Sequence, residues 1–265
     1  MAQMCDARTI TGNLSEAMRF FGRARADAEV HELPGVSLIY CGLDYAAFNA
    51  GVMGDSIPDD ASELARRIEA PADHFESRRL RWSYWYCDDV VGKTLIPHAR
   101  ALLQRRGMVE LTDAPGMMAP RLAPRSRYLP EVEVRPVADE TTRSAFAHIT
   151  SLSFEVPWTI CREVYGAERA WRGSFRGYVG FVDGVAVSTT AVVVAAGVAG
   201  IYSVGTIPGK RGRGYAEAVM RKVLDRVREE SGVERTVLQS TRTGYSMYTK
   251  MGYEPVTSFT IFITE

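Results

Sequence analysis

The stretch at 206–227, TIPGKRGRGYAEAVMRKVLDRV, carries the residues of this chain best suited to holding an anion. Lys210, Arg211 and Arg213 supply positive charge, and Gly212 and Gly214 leave the backbone bare among them. Beyond Gly214, the residues Ala216, Val219, Met220, Val223, Leu224 and Val227 recur at helical spacing and form one apolar face. A helix pinned by that face would present free N–H groups and the positive end of its dipole at the glycines. Bare backbone, dipole and three cations suit a diphosphate better than a single carboxylate.

Two phosphate-binding patterns do not fit. Gly92-Lys93-Thr94 ends like a P-loop, but Cys87 stands where the first glycine is needed. A dinucleotide fingerprint needs a Gly or Ala three residues after Gly214, where Glu217 stands, and no early βαβ unit surrounds it. A third pattern, Arg/Gln-x-x-Gly-x-Gly/Ala, is met by Arg211, Gly214 and Ala216.

The elements that must position this loop read clearly in the second half. Strands are expected at 131–137, 175–184, 185–195, 199–206, 235–240 and 255–263, with a primed turn at Asp183-Gly184. Helices are expected at 141–154, 161–171, 212–231 and 244–251. The order is β-α-α-β-β-β-α-β-α-β. In the first half, strands are expected at 35–42, 78–87 and 108–113, with helices at 61–76 and 95–106. Pro115, Pro120, Pro124, Pro130 and Pro136 make regular structure hard to sustain between them, which points to a linker at 120–130. The expected organisation is therefore two domains, 1–125 and 130–265, both of mixed α and β structure. Their pieces come in a similar order, but no residue-level repeat is strong enough to prove duplication.

From Ser203 to Phe259 the sequence resembles the GNAT superfamily of acyl-CoA-dependent N-acetyltransferases. SVGTIPGKRGRGYA resembles that family's fourth strand, pyrophosphate loop and helix start. LQST followed by GYSMYTKMGYEPV resembles its fifth strand and the helix carrying Tyr-x-x-x-Gly-Phe/Tyr, here Tyr248, Gly252 and Tyr253. The first half resembles, more loosely, the degenerate partner domain of tandem GNAT proteins, through FNAGVM, RWSYWY, ALLQRRGM and APGMM. It has no Arg/Gln-x-x-Gly-x-Gly/Ala, so no cofactor is assigned to it.

The resemblance implies a GNAT fold, with a central mixed and mostly antiparallel sheet flanked by helices. It implies acetyl-CoA as co-substrate, seated in a splayed gap between that family's fourth and fifth strands. Backbone groups of Val204 and Thr206 would hold the pantetheine arm. The implied cofactor set is Val204, Gly205, Thr206, Arg211, Gly212, Arg213, Gly214, Tyr215, Ala216 and Ser240. Acyl transfer to an amine expels a thiolate, and a nearby proton donor helps it leave. Tyr248 matches the family's donor position; with an ordinary pKa of about 10 it stays protonated at neutral pH. The alternative is that Tyr248 only packs against Tyr253 and the cofactor. Many members carry a Glu on the fourth strand as base, but Tyr202 and Ser203 occupy that region. A water chain or a carboxylate from elsewhere is then required, and Glu155 is a candidate. Ser240 either bonds the cofactor or is a plain strand-end hydroxyl. Alternation sends Trp82, Tyr84 and Tyr86 to one face and Trp85 to the other. They either wall a substrate cleft or, the favoured reading, fill a core.

Composition bounds the alternatives. The chain has 265 residues, 46% apolar and 24% charged, with no net charge, as in soluble globular proteins. That argues against nucleic acid as the main partner. The apolar stretch at 185–205 reads as two strands rather than a membrane span, and MAQMCDARTI has no signal-like core. Cys5, Cys41, Cys87 and Cys161 are spread out, as expected of reduced thiols in the cytoplasm. His31, His74, His98 and His148 lack metal-ligand spacing, so no metal is expected. The leading expectation is an N-acetyltransferase acting on a small-molecule amine, as a monomer or homodimer. The alternatives are a non-catalytic acyl-CoA-binding module and acyl transfer to another acceptor.

Overall fold

The computed structural model describes residues 2–265. Its first half runs α1 (Ala2–Met18), β1 (Glu29–Leu33), β2 (Val36–Tyr40), β3 (Ala50–Met53), α2 (Ala61–Ser77), β4 (Ser83–Cys87), α3 (Asp88–Val91), α4 (Ile96–Arg105) and β5 (Val109–Ala119). Its second half runs β6 (Glu133–Pro136), α5 (Glu140–Phe154), α6 (Trp158–Tyr165), β7 (Phe175–Val182), β8 (Val185–Ala195), β9 (Val198–Thr206), α7 (Tyr215–Ser231), β10 (Thr236–Gln239), α8 (Tyr245–Lys250) and β11 (Glu254–Ile263). The strands join in one sheet in the order β1-β2-β3-β4-β11-β5-β10-β9-β8-β7-β6.

The halves repeat one plan. β1, β2 and β3 form an antiparallel meander, β3 runs parallel to β4, and α2 lies between them in sequence. β7, β8 and β9 do the same, β9 runs parallel to β10, and α7 lies between them. The last strand of each half is exchanged. β11 pairs with β4, β5 pairs with β10, and β5 and β11 pair with each other at the centre. The segment 120–130 has no regular structure, yet the sheet runs through both halves without a break.

Aromatic packing also joins the halves. The rings of Phe20 and Phe175 lie 4.3 Å apart, and Phe20 stacks on Tyr165 at 5.4 Å. Tyr84 and Tyr86 on β4 and Trp82 just before it are fully buried, with Phe75 stacked on Trp82. These aromatics fill a core and wall no cleft.

Several boundaries differ from expectation for identifiable reasons. α7 begins at Tyr215 rather than Gly212, because Gly212 and Gly214 adopt φ of +74° and +87°, outside the helical region. β4 begins at Ser83 rather than Arg78, because Arg78 and Arg79 close α2, the latter at φ +55°. β5 extends through Pro115 to Ala119, since the strand position of Pro115 is used as an acceptor, from Ser240 N–H at 2.9 Å. α1 shows no clean apolar period, because it is buried on more than one side and its buried positions include Thr11, Asn13 and Ser15. Asn13 earns that place by hydrogen bonding: Nδ2 donates to the carbonyls of Val193, Ala195 and Val198, and Oδ1 accepts from the Tyr202 hydroxyl at 2.7 Å.

Candidate functional site

The gap between β9 and β10 opens because the two strands pair only at Ala199–Thr236 and Gly200–Val237. Beyond that point β9 bulges. Gly205 faces Thr189 and Tyr202 faces Ala191, so Ser203 and Val204 stand opposite Thr190 alone. Ser203 takes φ +48°, a left-handed conformation that bends the strand away from its parallel neighbour. A cleft of about 800 Å³ occupies the resulting space.

The cleft gathers most of the residues expected to bind a cofactor. Val204, Gly205 and Thr206 form one wall, and Arg211, Gly212, Gly214, Tyr215 and Ala216 form the end. α7 rests on the sheet through Val219, Met220, Val223 and Val227, which fixes its N-terminus against the cleft. Gly214 is its N-cap residue and carries no side chain to take up the first-turn N–H groups. A Cβ on Gly214 would lie 3.2 Å from Pro130 Cδ and 3.4 Å from an Arg127 nitrogen, so glycine keeps this approach open. Bare N–H groups, the helix dipole and a cradle free of side chains fit a diphosphate.

Two expected members fall elsewhere. Arg213 is exposed and does not line the cleft. Ser240 is buried, its hydroxyl donates to the Thr241 carbonyl at 2.8 Å, and it lies outside the cleft lining. The Arg211 guanidinium, exposed at the end of the cleft, is also bound to the backbone. Nε donates to Thr206 O at 3.1 Å and Nη2 to Leu152 O at 3.3 Å, so it braces β9 to the end of α5.

Tyr248 enters the cleft from α8 and is 8% exposed. Its ring meets Tyr253 edge-on, with centroids 5.9 Å apart. Burial pushes its phenol above the usual pKa, so it is a neutral O–H donor. Gly244 makes room for it, since a Cβ there would sit 2.7 Å from the ring. On the opposite wall Glu155 ends α5 at φ +56°, exposed and lining the same cleft. The Tyr202 hydroxyl is turned away onto Asn13.

Sequence spacing missed several cleft residues. Thr241, Thr243 and Met247 flank Tyr248 and are reachable from its motif, whereas Arg127 comes from the irregular segment and has no motif to mark it. Spacing also missed that Glu29, His31 and His74 bring ligand atoms within 4.8 Å of one another. Arg78 already sits there, donating to Glu29 at 3.1 Å and lying against His74 Nε2, so a guanidinium supplies the positive charge.

The splayed parallel strands, the bulge and the helix with a bare N-terminus match a GNAT fold, and residues 134–256 match the family described as Acetyltransferase (GNAT) domain. Solved structures extend the likeness over both halves. A GCN5-related N-acetyltransferase from Kribbella flavida is 19% identical, with a TM-score of 0.70 over 97% of this chain and 95% of its own. One from Sphaerobacter thermophilus is 17% identical, with a TM-score of 0.58 over 89% of this chain and 82% of its own. A tandem GNAT protein from the clavulanic acid biosynthesis pathway is 12% identical, with a TM-score of 0.54 over 87% and 78%. No curated protein matches the chain in sequence. Among the described residues no helix is long and apolar enough to cross a membrane.

Proposed function

We propose that this protein is an N-acetyltransferase that uses acetyl-CoA to acylate a small-molecule amine, with Tyr248 as the proton donor to the leaving thiolate. The observation that carries this reading is one cleft holding both a helix N-terminus stripped of side chains and a buried neutral phenol. Acetyl-CoA would supply the activated acyl group. The N–H groups from Gly212 to Ala216 would hold its diphosphate, and the bulged edge at Val204 would receive its extended arm. The Thr206 carbonyl already accepts from Arg211 and from Ser153 Oγ, so Val204 is the better candidate for that contact. Glu155 is the carboxylate in the cleft that is free to take a proton from an incoming ammonium, directly or through water.

The first half is proposed to be a degenerate GNAT-like domain at 1–125, beside a catalytic domain at 130–265. The N-terminus of α2 corresponds in the fold to that of α7. There the Asp60 carboxylate accepts from the N–H groups of Ser62 and Glu63, so the protein's own anion fills the position. A second reading, a non-catalytic acyl-CoA-binding module, draws on Tyr202 and Ser203 standing where many members carry a base.

Thiol release from acetyl-CoA across a panel of amino acids, polyamines and amino sugars tests the proposal, with product mass establishing the amide. Tyr248→Phe is expected to lower kcat by roughly 10²–10⁴-fold with little change in KM. Tight CoA binding without turnover of any amine would favour the module instead.

A further inference from the structure

The motif at 211–216 accounts for the backbone of the phosphate cradle but only partly for its charge. Lys210 and Arg211 line the cleft, yet Arg211 has donors tied to the carbonyls of Thr206 and Leu152, and Arg213 lies outside it. Within the first turn of α7 stands Glu217, 5% exposed, a carboxylate where an incoming diphosphate would be repelled. Its charge is met from below by Arg221, whose Nε lies 3.0 Å away, and from the cleft side by Arg127 Nη2 at 3.5 Å. Arg127 belongs to the irregular segment joining the halves. It lines the cleft, keeps about half of its side chain exposed (53%), and its Nη2 lies 3.4 Å from where a Cβ on Gly214 would be. The segment is tied down on both sides of it. Ala123 N–H donates to Met251 O and Arg221 donates to Ala123 O, both at 2.8 Å, while Lys222 donates to Val132 O at 2.7 Å.

We propose that Arg127 is a diphosphate-binding residue, carried to the mouth of the cradle by the connecting segment. Its long contact to Glu217 leaves most of its five N–H donors available, and a guanidinium suits bidentate phosphate recognition. With ligand bound, Arg127 would lie between the Glu217 carboxylate and the diphosphate and screen one from the other. This rests on the reading of the cleft as an acyl-CoA site and adds to it a residue that no motif marks.

The test is calorimetric titration of the full chain with CoA and with 3′-dephospho-CoA, at two salt concentrations. Arg127→Gln is expected to weaken both ligands by about tenfold or more and to make their binding less sensitive to salt, because one screened charge pair is lost. Arg127→Lys should recover part of the affinity and the salt slope, which a purely structural role would not produce. Arg125→Gln, two residues away and outside the cleft lining, should leave both affinities unchanged. The proposal is overturned if Arg127→Gln binds CoA within twofold of the unaltered protein. It is also overturned if the loss appears with CoA but not with 3′-dephospho-CoA, which would place the contact on the 3′-phosphate. Failure of the unaltered protein to bind CoA would instead remove the reading of the cleft itself.

Discussion

Replacing Gly244 by alanine perturbs Tyr248 with little interference from the backbone. Gly244 sits at φ −81° and ψ −22°, where alanine is at ease. Through the unfolded chain alone, such a change adds about 0.4–1 kcal/mol of stability. The new methyl, however, would lie 2.7 Å from Cε2 of Tyr248 and 3.3 Å from Cζ. Carbon atoms settle at about 3.5–4.0 Å, so the ring must retreat by roughly 1 Å. Tyr248 packs against Tyr253 on one side and faces the cleft on another, so the retreat has room. Overpacking then costs about 1–3 kcal/mol, and the net loss of stability is about 0–2.6 kcal/mol. For a proton donor the consequence is larger, since a displacement of about 1 Å costs on the order of 10²-fold in rate. We expect kcat to fall roughly 10–100-fold while KM for acetyl-CoA stays within about threefold. The assay is steady-state thiol release with the best amine substrate, alongside urea unfolding. A crystal structure of the variant with the ring displaced, together with unaltered kcat, would refute the assignment of Tyr248 as donor.

Three further outcomes are expected. Burial raises the pKa of Tyr84, Tyr165, Tyr202, Tyr248 and Tyr253, and pushes Tyr86 to about 12. The unfolded chain would release these protons near pH ~10 and the folded one later, so this contribution is intact below about pH 10 and is lost as pH rises above it. Urea unfolding from pH 8 to 11 should show a decline of up to ~1.4 kcal/mol per pH unit for each such phenol, and a flat profile would contradict it. Asp60→Ala should lower stability by about 0.5–2 kcal/mol through loss of the α2 cap. CoA affinity should not change, and a marked change would count against assigning the cofactor to the second half alone. Fragments 1–125 and 126–265 should each fail to fold when produced alone and should copurify when produced together, because β11 lies between β4 and β5. Circular dichroism and size-exclusion chromatography read this, and an independently folded 126–265 would overturn it.

How much could be read in advance depended on whether the relevant interactions were local. α7 was legible because its apolar face repeats along the chain, and the cradle was legible because two glycines interrupt a run of cations. The bulge at Ser203 left no trace, since no residue type demands it and it arises from pairing with Thr189 and Ala191 on β8. α1 was hidden because Asn13 faces inward for the sake of carbonyls about 180 residues away. The directions of the arginine side chains were not legible, since charge is visible in sequence but direction is not.

The sequence by itself determined the order of elements in the second half and the helix whose bare N-terminus faces the cleft, because helical period and turn chemistry act over a few residues, while Tyr248 was marked only by the motif of the family the chain resembles. Only the tertiary structure decided that the last strands of the two halves change places, that Arg211 braces the backbone, and that Arg127 and Glu155 reach the cleft. Strand partners and side-chain directions are set by packing between segments far apart in the chain, and no short-range pattern encodes them.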